Sequence, residues 1–501
     1  KWYGNIIDVI DWSPETREEY RRNPIARIQS PNLWYRNGIT WNLVSSAGTG
    51  FRILPNTVLF NKAAPTILLK AESIELQNFL LAFLNTCVVK YLLSALNPTI
   101  NTNIAEVFSL PVMEENTSLI SKISKEAIDI SKLDWDAHET SWDFQRNGLL
   151  DINADMAMSI VNDYCDITSV CIDMAAPEPN KLEWLVSMYQ MDWETKFLRL
   201  HANEEELNRQ FIEIYGLQDE LTPAVPLDGV TILQQGEISI VKEHPGAVVI
   251  GDRQIAATMP EHIEFNLDVI IKQLISYMVG VWMGRYRLDR PGLNIAYPDP
   301  TEDELASYQY GPDNATLRID DDAIIPILPT GAPFEDNLSK YISDFVRIAW
   351  GETSQTDNLN FIEKCLGKKI EDYVQKDFWK DHKKMYQNRP IYWLFSSKKG
   401  AFKALVYVHR MHPYTVEQIR TRYLLKYMDW LRSEAQRLEI RDADLTTVER
   451  RRLDRLRSDI EECEEYHERL QVIAENAIPI DLDNGIPANH ALFGDIVTKL
   501  K

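Results

Sequence analysis

Between Glu19 and Glu72 the chain has no acidic residue, yet it carries seven bases there: Arg21, Arg22, Arg27, Arg36, Arg52, Lys62 and Lys70. Tyr20, Trp34, Tyr35 and Trp41 are interleaved with them. Bases without acids, alternating with flat rings, suit a polyanion whose bases can be stacked upon: cations for phosphate, aromatics for stacking. On this reading Arg21, Arg22, Arg27 and Lys62 grip phosphates. Arg36, Asn37, Asn42 and Arg52 are the base-reading candidates, because guanidinium pairs bidentately with guanine and carboxamide with adenine. Trp34 or Trp41 would stack on or wedge against the duplex, with a place in a core as the competing reading for either. A second acid-free window, His382 to Val416, holds seven bases, of which Lys398 and Lys399 are the candidate contacts.

Residues for bond-making chemistry are harder to find. Amino methylation of a base needs an Asn/Asp-Pro-Pro-aromatic turn and a Gly-rich strand–turn for the methyl donor. Asn23-Pro24-Ile25 and Asn97-Pro98-Thr99 have one proline each and no aromatic after it. The Gly-rich stretch Ser46 to Phe51 lies between short strands and is expected to be a hairpin loop. Metal-dependent nuclease chemistry needs clustered carboxylates near a lysine. Pro312-Asp313 has no suitably spaced partner, Glu363 and Lys364 are adjacent, and His409 and His412 lack an evident third ligand. Asp320-Asp321-Asp322 offers three oxygens for a cation, but a solvated loop is expected. No catalytic, metal-ligating or cofactor-binding residue is assigned.

These residues must be positioned by several domains, since 501 residues exceed one ordinary core. A hydrophobic fraction of 45% with 26% charged residues excludes a mainly disordered chain. The net charge of −22 argues at first against nucleic acid, but the two acid-free windows carry +7 each, which leaves −36 on the other 414 residues. Five scattered cysteines (Cys87, Cys165, Cys171, Cys365, Cys463) suggest a reducing compartment without a disulfide framework or structural zinc. No apolar run is long enough for a membrane span, and a cytoplasmic location is expected. The chain begins inside an apolar–aromatic segment, Trp2 to Ile7, which suggests the C-terminal piece of a larger protein.

The fold class expected is α+β. Short strands are predicted at Ile39–Val44, Phe51–Leu54, Thr57–Phe60 and Thr66–Leu69, closed by a helix from Ser73 to Leu96. Mainly helical domains follow, including a helix at residues 203–214 capped by Asn203 with three glutamates in its first turn, and another over His262–Tyr286. A C-terminal helical hairpin over 413–475 turns at Asp442–Asp444, with Thr446 and Glu449 as a capping box.

Several stretches resemble one family. Residues 32–69 and 79–111 look like the target-recognition domain of adenine-specific DNA methyltransferases, whose closing signature stands here as Phe83-Leu84-Asn85, Lys90, Asn97-Pro98-Thr99 and Leu110-Pro111. Asp134-Trp135-Asp136 with Glu139 to Asp143, Asn203 to Arg209, Ile214 to Leu221, Gly284 to Asp289 and Arg389 to Gly400 resemble the adenine-specific methyltransferases of BREX phage-defence systems, the PglX/BrxX family. The resemblance runs from about residue 1 to 445.

It implies a DNA-specificity segment at residues 1–115, and the patterning of the rest suggests an acidic helical connector at 116–225, a mixed loop-rich and helical domain at 226–350, and a helical domain at 351–501. It also implies S-adenosylmethionine and the catalytic motif in a domain outside this chain, so this segment alone is expected to be inactive. The implied partners are double-stranded DNA, other BREX proteins and phage DNA-mimic inhibitors, with no membrane. The alternatives are a scaffold that docks other defence subunits and the specificity half of a fused restriction–modification enzyme. A DNA mimic is disfavoured by the basic windows.

Overall fold

Three short antiparallel strands and the helices that close them hold the first acid-free window. The computed structural model describes residues 1–26, 28–45, 48–70, 73–170, 172, 176–250, 253–441 and 445–500, the side chains of 246–250 and 253–259 excepted. The chain divides into two compact units: residues 1–142, 155–175 and 188–266, and residues 143–154, 176–187 and 267–501. Residues 1–115 fall wholly in the first unit and 351–501 wholly in the second, while 116–225 and 226–350 are each divided between them.

The first unit opens with α1 (Pro14–Arg22), capped by the Ser13 side chain on Thr16 N. Its sheet has the order β2-β1-β3, with β1 (Gly38–Thr40), β2 (Arg52–Leu54) and β3 (Thr66–Ile67) all antiparallel. Trp2 extends the edge, its backbone N donating to Phe51 O and its O accepting from Ile53 N. The strand expected at Thr57–Phe60 does not form, and the other strands are shorter than expected.

Where one helix was expected, two form: α2 (Ile74–Asn85) and α3 (Cys87–Leu96), bent by 64°. The break has a local cause. Thr86 turns extended, caps α3 through Val89 N, and donates its hydroxyl to Phe83 O at 2.6 Å. No single described helix is long and apolar enough to cross a membrane. Phe79, Leu81, Phe83, Leu84, Val88 and Val89 of the bent pair are buried in this unit's core with Trp41, Phe51, Ile120, Phe197 and Phe211.

Then come α4 (Ile104–Phe108), α5 (Thr117–Asp136), α6 (Ala154–Thr168) and α7 (Leu182–Tyr215). The helix expected to start at Asn203 is thus the second half of a 34-residue helix. Asn203 has polar neighbours typical of a helix start, but Trp193, Phe197 and Leu200 upstream are as buried as Leu207 and Phe211 downstream, and this continuous apolar face carries the helix through. Two ribbons complete the unit: β4 (Ile238–Val241) pairs with β7 (His262–Phe265), and β5 (His244–Ile250) with β6 (Arg253–Met259).

In the second unit α8 (Leu267–Trp282) starts later than expected, because His262–Phe265 is strand; eleven of its sixteen residues are buried. A small helix α9 (Glu302–Leu305) and the ribbon β8 (Tyr308–Tyr310)–β9 (Ala315–Leu317) lead to a sheet of order β10-β12-β11. That sheet comprises β10 (Ile324–Pro326), β11 (Tyr392–Ser396) and β12 (Lys403–Tyr407). Between β10 and β11 lie α10 (Leu338–Trp350), α11 (Gln355–Leu366), α12 (Ile370–Lys376) and α13 (Phe378–Met385).

After β12, α14 (Thr415–Gln418) passes through a π-helical turn, Ile419–Leu424, into α15 (Leu425–Glu439). The expected hairpin partner is α16 (Thr447–Glu475), with the Thr446–Glu449 capping box present; Asp442–Asp444 lie outside the described residues. Arg432–Glu464, Arg452–Glu434 and Arg457–Glu439 pairs cross between the two helices. A short α17 (Ile486–Ala491) follows.

Candidate nucleic-acid interface

The first window folds into one module, and its candidate residues separate by what they already touch. Arg21 and Arg22 are exposed in the last turn of α1 and share Glu18, at 3.4 and 3.2 Å. Such exposed pairs are worth little and exchange readily for phosphate. Lys62 and Asn37 are exposed, and Asn37 Oδ1 accepts from Asn56 N at 3.1 Å, which leaves its amide N–H₂ pointing elsewhere. Arg27 lies outside the described residues.

Arg52 is on β2 opposite Thr40 of β1, and its guanidinium donates to Oδ1 of exposed Asn42. Burial lowers the Arg52 pKa from its ordinary value. Arg36 donates to Leu69 O at 2.5 Å and so ties the segment before β1 to the one after β3.

The two tryptophans differ. Trp34 is half-buried, donates Nε1 to Gln29 O at 2.9 Å, meets Trp12 edge-on at 4.9 Å, and has Arg17 over its ring at 5.6 Å. Trp41 is 0% exposed, packs on Phe51 and donates Nε1 to Thr102 O at 2.9 Å. It is therefore a core residue and cannot stack on a duplex; the indole that fills the sheet–helix interface has no face left to offer.

The second window is dispersed within its own unit. Arg410 is 4% exposed, and its guanidinium donates to the backbone oxygens of Met283, Asp320 and Asp321. Lys403 donates to Gln375 O at 2.7 Å. His382 is buried and His409 nearly so, and desolvation with the nearby Arg285 charge lowers them to about 3 and about 4, so both imidazoles are neutral. Lys398 and Lys399 remain exposed on the β11–β12 turn, which Glu462 of α16 holds by accepting from Lys399 N and Ala401 N.

The Gly48–Gly50 loop joins two antiparallel strands, so no helix N-terminus follows it. The methyl-donor turn needs that helix, and these residues do not fit the donor.

Sequence reasoning missed a buried polar cluster in the first unit. His138 Nδ1 donates to Asp134 O at 2.7 Å and Nε2 lies 2.6 Å from Glu237 Oε1. Both ring nitrogens face acceptors, which favours the imidazolium over the neutral ring. Burial alone would lower its pKa, but Glu237 and Asp134 raise it overall. Burial raises Asp134 to about 6, although its Oδ1 accepts from Leu233 N. The signal available in sequence was Asp134 and His138 at i,i+4; Glu237 lies 99 residues further on.

No protein-family model matches the chain. The adenine-specific methyltransferase BrxX of Escherichia coli O9:H4 (strain HS) is 30% identical over 526 residues, covering 100% of this chain and 39% of that protein. The adenine-specific methyltransferase PglX of Lacticaseibacillus casei (strain Zhang) is 30% identical over 511 residues, covering 98% of this chain and 38% of that protein. Along almost its whole length the chain is similar to these BrxX and PglX proteins. It spans about two fifths of the length of these curated relatives, 39% and 38%.

The stretches that resemble BrxX/PglX are largely framework. Asn85 is buried and pairs with Phe51 as a strand would, accepting from its N and donating to its O, each at 3.0 Å. Asn97 donates to Asn101 O and Glu106 and accepts from Thr99 N, which folds the tail after α3. Glu204 is 5% exposed and bonds Trp2 Nε1 and Lys1 Nζ. Asn208 caps Cys87 N and donates to Pro223 O. In the other unit Arg287 pairs bidentately with Asp289 and lies 4.3 Å over the Tyr308 ring.

Proposed function

We propose that this chain selects the DNA sequence for a site-specific adenine-N6 methyltransferase of a phage-defence system, with catalysis and S-adenosylmethionine supplied by other parts of the enzyme. The observation that carries the reading is the acid-free module, which presents exposed Arg21, Arg22, Asn37, Asn42 and Lys62. Similarity along this chain to about two fifths of each of two adenine-specific methyltransferases supports it. Arg21, Arg22 and Lys62 take phosphates; Asn37, Asn42, Arg52 and Arg36 face base edges; Trp34 lies against the sugar–phosphate rim. Arg27 belongs to the same set by sequence. Lys398 and Lys399 form a separate phosphate contact on the β11–β12 turn. Other defence-system proteins and DNA-mimic inhibitors would meet the same basic surface or the acidic helices.

The test uses the full-length methyltransferase. Arg52→Ala with Asn42→Ala changes which sites are methylated, read by modification-sensitive sequencing, while methyl-donor binding stays as in the parent. Unaltered site choice in the double variant refutes the base-reading assignment.

A further inference from the structure

We propose that the Asp320–Asp322 loop of the second unit binds a divalent cation of the magnesium or calcium class. The proposal is independent of the DNA reading and uses none of its residues.

A run of three acids was expected to be solvated, and two of the three are not. Asp320 is 5% exposed and the Asp322 side chain 4%; Asp321 alone reaches water. One oxygen from each of the three carboxylates lies within 4.8 Å of the others. Asp322 is well supplied with donors: Tyr423 OH, Ile324 N and Arg422 Nη1, the last at 2.9 Å. Asp321 has Arg422 at 3.5 Å. Asp320 Oδ2 accepts from Tyr341 OH at 3.0 Å. Asp320 Oδ1 has no donor and is sealed from water.

An orphaned carboxylate oxygen in the interior is strongly disfavoured, and here two further carboxylates stand within 4.8 Å in the same loop. Burial, with Asp322 and Asp336 beside it, drives the Asp320 pKa well above the carboxylate range. Facing carboxylates with no donor between them share either a proton or a cation.

Fully ionised, Asp320, Asp321, Asp322 and Asp336 would set four negative charges against the two guanidiniums Arg410 and Arg422, so the excess is discharged either by a proton kept on Asp320 or by a divalent cation that replaces it. Other bases face the adjoining recess, but Lys340 is bonded to Glu335, Arg347 to Asp344 at 3.4 Å, and Arg318 is exposed on the rim. That recess, about 500 Å³, opens beside Asp320 and Asp321 and admits water as further ligands. The donor set is oxygen alone, without His or Cys, which selects a hard cation over zinc. The ion would tie the loop to α10 through Tyr341 and to the π-helical turn through Tyr423 and Arg422.

Terbium luminescence on the full, chelator-treated chain tests this. Trp282 stacks on Tyr341 with ring centroids 4.1 Å apart, and Tyr341 bonds Asp320, so excited tryptophan lies next to the site. Expected are saturable sensitised Tb³⁺ emission, its displacement by Ca²⁺ or Mg²⁺, and its loss in Asp320→Asn. Asp321→Asn, an exposed change that leaves the fold intact, weakens Tb³⁺ binding at least about tenfold. Emission unchanged in Asp321→Asn overturns the proposal. So does a parent chain whose unfolding midpoint ignores Ca²⁺ and Mg²⁺ while Asp320→Asn raises it, since Asp320 is then a neutral acid sharing a proton with Asp322.

Discussion

Trp41 and Trp34, seven residues apart in one basic window, differ in burial. Trp41 closes the sheet against α2 with its N–H satisfied by Thr102 O, so Trp41→Ala should cost about 3–5 kcal/mol of stability in denaturant unfolding. Trp34→Ala should cost clearly less, since its ring is half-buried already; equal losses would contradict the different burial. At His138 the prediction concerns pH. Its folded pKa is raised, so its contribution is fully present below the ordinary imidazole value of 6.5 and is lost as pH rises through the folded value. Asp134, raised from 3.8 to about 6, has the same sign but acts in a lower window, between those two values, where the folded state keeps a proton that the unfolded carboxyl has released, so the fall above pH 6 belongs to His138. The unfolding midpoint should therefore fall from pH 6 towards 8 more steeply in the parent than in His138→Gln. Superimposable pH profiles would remove the imidazolium from the account.

The elements test how far local signals reach. Thr446 was legible as a cap because Thr and Glu stand three apart ahead of an apolar period, and Thr446→Ala should cost about 0.5–2 kcal/mol, read by chemical denaturation. Asn203 carries an equally good cap signal but sits inside α7, so Asn203→Ala should change stability by less than about 0.5 kcal/mol, since alanine's better propensity offsets the lost bond to Glu126. A cap-sized loss there would mean that α7 is two helices. Burial on both sides of Asn203 decides the matter, and burial is a tertiary property that a short window does not carry. The bend at Thr86 was missed for a related reason: the apolar pattern runs on through it, and only the Thr86 and Asn85 side-chain bonds to Phe83 and Phe51 redirect the backbone. The Asp320 loop is the extreme case. Tyr341, Arg410 and Tyr423, which turn an acidic run into a buried one, lie 21 to about 100 residues away. The lack of acids in the first window, by contrast, was legible, since composition along the chain needs no partner, but the burial of Trp41 within it was not.

For the whole molecule, net charge is a poor guide and charge placement a good one. A chain at −22 repels DNA at long range, so on the proposed reading binding would rest on the few exposed bases of an acid-free module. The full-length enzyme should lose affinity steeply with salt, and Arg21→Ala with Lys62→Ala should shallow the slope of log affinity against log salt by about two without altering sequence preference. A slope unchanged in that variant would move the phosphate contacts elsewhere, with Lys398 and Lys399 the next to test. The bond between Arg52 and Asn42 has a further consequence for such a reader. Each side chain already satisfies the other, so engaging a correct base exchanges one hydrogen bond for another and adds little affinity, whereas opening the pair over a wrong base loses a bond without replacing it. On the proposed reading the pair would stay shut on foreign sequence, and the module would pass along the duplex held by phosphate contacts alone. Discrimination on this arrangement comes from the penalty for opening in the wrong place.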